Sequence, residues 1–160
     1  MQSDQGKFMD IKTYGELINW TRDLHHYLGQ CLKHCAAKHA DEKSASLLEY
    51  LSSHESEIAT IIDEFEHQSA RNTLDTRVYD YLRHNAPASR RECDEHYARM
   101  AYADIYHEVM GFHEEVTDLF KTLSRKAEIP EARDLLQALL EMETNESMRL
   151  SRQIGRMDDL

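Results

Sequence analysis

The stretch TYGELINWTRDLHHYLGQCLKHCAAKHA, residues 13–40, decides the fold class: its apolar residues recur with three-four spacing at Leu17, Leu24, Leu28, Cys31 and Cys35. That period places them on one face of a long amphipathic helix, and Thr13 with Glu16 three residues on reads as a capping box at its start. A second helix, 44–70, follows the polar turn from Asp41 to Ser44, with Leu47, Leu51, Ile58, Ile61 and Phe65 on its seam. Ser89 and Glu92 repeat the capping pattern and open a third helix, 89–126, along Ala98, Ala101, Ile105, Val109, Phe112, Val116, Leu119 and Leu123. Pro130, suited to a first helical position, opens a fourth, 130–157, through Leu136, Leu139, Leu150, Ile154 and Met157.

Four helices of this kind predict an all-α, four-helix bundle. The first and third connections are short, so the chain reads as two antiparallel helical hairpins. They are joined by a long crossover at 71–88, which carries Pro87 and the short apolar run Val78, Tyr79, Tyr81, Leu82, room for two helical turns. Residues 1–9 read as a disordered lead-in and 10–160 as a single domain. Only five glycines and two prolines stand in 160 residues, too little punctuation for an all-β fold.

The net charge of -11 and the lack of any basic block argue against nucleic acid and against an anionic membrane surface. No stretch approaches the roughly 18 apolar residues of a membrane span, and no signal-peptide core is seen in the first 30 residues, so a cytoplasmic location is expected. Cys31, Cys35 and Cys93 have no zinc-type spacing and read as small apolar fillers.

Two seam positions break the apolar pattern. His54 and Glu143 stand where their helices otherwise place aliphatic residues, and a buried carboxylate requires pairing, hydrogen bonds or a cation. Three residues on from each are Glu57 and Glu146, which gives His-x-x-Glu and Glu-x-x-Glu on one face of each helix. Antiparallel pairing about turns near 41 and 129 sets His25 and His113 opposite them. The chain also reads as a doubled hairpin. A shift of 88 overlays Leu17 on Ile105, Leu24 on Phe112, His25 on His113 and Leu28 on Val116, and a shift of 89 overlays His54 on Glu143 and Glu57 on Glu146.

Six candidate metal ligands therefore gather at one level: His25, His54, Glu57, His113, Glu143 and Glu146. Their topology and spacing resemble the ferritin-like superfamily, including rubrerythrin-type proteins. There, helices one and three each supply a Glu and helices two and four each a Glu-x-x-His. The resemblance spans residues 13–157, although ligand type differs at five of six positions. It implies a mononuclear or dinuclear iron or manganese centre, with zinc also suited to three imidazoles and three carboxylates, in oxygen or peroxide chemistry. It implies no organic cofactor. Glu108 is a spare carboxylate that could stand in for His113.

The alternative is a non-enzymatic interaction or regulatory module, able to act as a homodimer, whose polar core is vestigial and metal-free. No His-x-x-x-His, Gly-x-Ser-x-Gly, phosphate-cradling Gly loop, His-Glu-x-x-His or Cys-x-x-Cys occurs, so hemerythrin, hydrolase, nucleotide-binding, zincin and thioredoxin readings lack support.

Overall fold

The computed structural model describes residues 11–78 and 93–158. Among them the chain is all-α: α1 (Tyr14–Ala36), α2 (Glu42–Gln68), the single turn α3 (Arg71–Leu74), α4 (Tyr102–Lys126) and α5 (Pro130–Asp158), with a 3-10 turn at Tyr97–Arg99. No described helix is long and apolar enough to cross a membrane.

The capping box at α1 is formed on both sides: Glu16 N–H donates to Thr13 Oγ1 (3.2 Å), and Thr13 N–H donates to Glu16 Oε1 (3.1 Å). α2 starts at Glu42, ahead of the expected 44, because Asp41 takes the cap: its Oδ2 accepts from the Ser44 amide at 2.9 Å and the Ser44 hydroxyl at 2.8 Å.

The third long helix departs most from expectation. It begins at Tyr102, whereas the sequence pattern starts it at Ser89; the Ser89 and Glu92 pair lies outside the described residues. Glu95 has a φ of 79°, which no helix accommodates, and Met100 and Ala101 are extended. What the departure gains is a buried Tyr97 and a fold-back contact, His96 Nε2 to Glu108 Oε2 at 2.9 Å.

The crossover opens with α3 and is tied to the head of α1, where Tyr14 N–H donates to the Thr76 carbonyl at 3.0 Å and Val78 N–H to the Lys12 carbonyl at 2.8 Å. Arg77 and Thr13 thus form an isolated antiparallel bridge, and Val78 beside it is not helical. Tyr79, Tyr81, Leu82 and Pro87, like residues 1–9, lie outside the described residues.

Cross-contacts give the direction of each hairpin. In the first, Arg22 pairs with Asp63 at 3.0 Å and the Ser52 hydroxyl donates to the Gly29 carbonyl at 2.8 Å, so α1 and α2 run antiparallel. In the second, Tyr106 meets Ser151 at 3.3 Å while Arg133 caps the Ala127 carbonyl at 2.8 Å, so α4 and α5 do the same.

All four long helices feed two apolar clusters. One gathers Leu17, Leu24, Ile58, Phe112, Phe120 and Leu136, and the other Leu32, Leu47, Leu51, Ile105, Val109 and Leu150. In sequence order along α1, α2 and α5, His25, His54 with Glu55, and Glu143 fall between these two sets, and on α4 His113 follows Phe112 at the near edge of the first set.

A buried histidine and glutamate cluster

Gly29 sets the close approach of the first hairpin. A Cβ at this position would meet Glu55 Cβ and the Ser52 carbonyl oxygen, each at 3.3 Å, so the absent side chain is what lets α1 lie over α2 at Glu55. Glu55 is fully buried and accepts on both oxygens: from His25 Nδ1 at 2.6 Å and from His113 Nε2 at 2.5 Å. The far nitrogen of each ring is also held. His25 Nε2 faces Glu143 Oε2 at 2.7 Å, and His113 Nδ1 lies 3.2 Å from the Ser147 hydroxyl. The Phe112 ring meets His25 edge-on, with centroids 5.3 Å apart.

Both His25 nitrogens point at carboxylate oxygens, so both donate and the ring is an imidazolium. Burial alone would favour the neutral ring, but the charges of Glu143 and Glu55 outweigh it and raise the His25 pKa to about 10. Glu55 behaves in the complementary way: burial pushes its carboxyl up, and the two imidazoles beside it more than reverse that, holding it well below the usual carboxylate range. His54 is different. Burial is the leading influence on it and lowers its pKa, which keeps the ring neutral.

Two polar atoms in this layer, His54 Nε2 and Glu143 Oε1, are buried and have no hydrogen-bond partner. The nearest carboxylate to His54 is Glu146, with Nε2 to Oε1 at 3.9 Å, too long for a hydrogen bond. The Tyr50 ring stacks on His54 at 6.5 Å between centroids, and the His54 and His113 rings lie 6.2 Å apart.

Of the six expected ligands, the structure brings His25, His113 and Glu143 into one bonded network, sets His54 beside it and leaves Glu146 at its margin. Glu57 stands apart: its side chain is 54% exposed and meets Arg149 at 3.4 Å. Glu108 is likewise absent from the cluster and is engaged by His96. The residue that sequence reasoning missed is Glu55. The buried face of α2 takes in Leu48, Ser52, Glu55, Ala59 and Ile62, so the helix is turned toward that side, with Glu57 exposed and Ile61 half-buried.

A signal for Glu55 was present. Carried unchanged through the second helix of each hairpin, the shift of 88 places Glu55 on Glu143, Leu48 on Leu136, Leu51 on Leu139 and Ile62 on Leu150, all of them buried. Each hairpin thus contributes one His and one Glu spaced 30 residues apart, His25 with Glu55 and His113 with Glu143. The slip to 89 in the second helices hid this pairing.

The ligand atoms offered by His25, Glu55 and His113 all lie within 4.8 Å of one another. That span suits a shell of bonds about 2.0–2.2 Å long to imidazole nitrogen and carboxylate oxygen. Neutral imidazole and carboxylate together suit divalent iron, manganese or zinc. The two orphaned atoms, His54 Nε2 and Glu143 Oε1, fit the same use, since a buried polar atom left without a partner costs about 1–3 kcal/mol. Compared with known protein families, curated proteins and solved structures, the chain finds no match.

Proposed function

We propose that this chain is a ferritin-like metal-binding protein. In this reading its two antiparallel hairpins, joined by the long crossover, form a four-helix bundle around a divalent cation held by His25, Glu55 and His113. The observation that carries the proposal is the support behind each ligand ring. With the faces of His25 and His113 that meet Glu55 turned to a cation, Glu143 and Ser147 already hold the opposite nitrogens. Imidazole ligands are oriented in this manner by partners behind them.

His54, Glu143 Oε1 and Glu146 are the groups available to a second cation. Iron or manganese is the preferred occupant, with zinc also accommodated, and a redox-active ion would supply oxygen or peroxide chemistry. The chain's own part is to exclude water with the two apolar clusters, to orient the rings and to hold protons. His25 must give up a proton before one of its nitrogens can act as a ligand, so cation uptake releases protons and strengthens as pH rises.

A second reading is a metal-free polar core in an interaction or regulatory module. It is favoured by the closed set of hydrogen bonds from His25 to both carboxylates. Thermal unfolding separates the two. A site filled by metal stabilises the folded state by mass action, so a chelator is expected to lower Tm of protein purified with iron or manganese, and adding either metal back to restore it. A Tm that does not move after demonstrated metal removal supports the second reading.

A further inference from the structure

We propose that the groove between α4 and α5 is the route by which a divalent cation enters the buried cluster, with His113 and Ser147 as its inner end. The inference rests on the metal-binding reading above and adds a site to it.

His25, Glu55 and Glu143 are sealed from solvent, so a cation must pass a wall of the bundle to reach them. His113 is also buried, yet it lines a groove of about 270 Å³ whose other walls are Thr117, Thr144 and Ser147, with Glu114 beside them. It therefore has one edge toward the groove and Nε2 on Glu55, so the groove ends one imidazole ring away from the central carboxylate. The volume corresponds to about nine waters at roughly 30 Å³ each, enough for an ion carrying part of its hydration shell.

The lining suits that cargo. Glu114 is exposed on the groove and supplies negative charge, and the hydroxyls of Thr117, Thr144 and Ser147 offer oxygens that replace water step by step, as hard cations require. At the rim stand Met110 and Met148, unbranched and adaptable, with Met148 52% exposed. A second groove, about 700 Å³ and lined by Lys33, Ser56, Glu57 and Thr60 among others, is larger, but none of its residues belongs to the cluster.

The test is the rate at which the metal-stripped full chain takes up cobalt(II), followed by the ion's visible absorbance in a stopped-flow instrument. Thr117→Phe/Thr144→Phe fills the proposed route, and Thr60→Phe adds the same bulk to the other groove. The double variant is expected to load about tenfold more slowly or worse and to reach the wild-type stoichiometry, while Thr60→Phe loads at the wild-type rate. Should the double variant lose its helical circular dichroism, Thr144→Phe alone, at an exposed position, makes the same comparison. Wild-type loading rates at full stoichiometry in the plugged variant would overturn the route and leave the site intact. A wild type that takes up no cobalt would overturn the metal reading itself, and the route with it.

Discussion

At the scale of single residues, Glu55 is the side chain on which the cluster turns, because one carboxylate accepts from and orients two imidazoles from different hairpins. Removing its charge while keeping its shape leaves a buried His25 imidazolium with Glu143 alone. Breaking a buried ion pair in this way costs about 3–5 kcal/mol. Glu55→Gln is therefore expected to lower the unfolding free energy of the metal-free protein, measured by urea titration, by that order, and Glu57→Gln, at an exposed surface pair, to leave it almost unchanged. His25 gives the pH dependence. Its folded pKa, about 10, lies above the ordinary 6.5, so its stabilisation is complete below pH 6.5 and is lost as pH rises toward 10. Metal-free protein should lose stability between about pH 7 and 9 in denaturant titrations, and His25→Gln should flatten that window. Above about pH 9 the thiols of Cys31 and Cys93, whose pKa values burial raises, add a loss of their own. A wild-type profile that is flat from pH 7 to 9 would contradict the charged form assigned to His25.

At the scale of elements, the placement of His25 against Glu55 depends on how closely α1 meets α2. Gly29→Leu would drive a branched side chain into Glu55 and Ser52, and overpacking of this sort costs about 1–3 kcal/mol. The variant should melt lower and bind cation more weakly, measured by calorimetry on the purified chain. Cation affinity equal to wild type would show that the helix spacing does not set the site. Much of this level was legible in the sequence: the Thr13 and Glu16 box, the three-four seams and the short turns fix three of the long helices to within a few residues. Two features were not. The start of α4 is set by Tyr97 burial and the left-handed Glu95, tertiary effects that override a local capping pattern. The rotation of α2 was hidden because its buried face is broad, and an apolar seam through Leu47, Leu51 and Ile58 leaves Glu55 and Glu57 flanking it on opposite sides. His54 and Glu143, each in place of an aliphatic residue, were readable as buried for that reason.

At the scale of the whole molecule, a polar layer lies between two apolar clusters, and each hairpin supplies the same His and Glu at the same spacing. A core interrupted at its centre by five ionisable side chains, His25, His54, Glu55, His113 and Glu143, is costly unless those groups serve one another or an ion. The proposed cation resolves what the internal hydrogen bonds leave open, namely the unpartnered His54 Nε2 and Glu143 Oε1. The most direct measurement is elemental analysis by plasma mass spectrometry of untagged protein expressed with iron and manganese supplied, beside a Glu55→Ala/His113→Ala variant shown to be folded by circular dichroism. The account predicts close to one or two metal ions per wild-type chain and their loss in the variant. A folded wild type that carries no metal, or a variant that keeps it, would contradict the account.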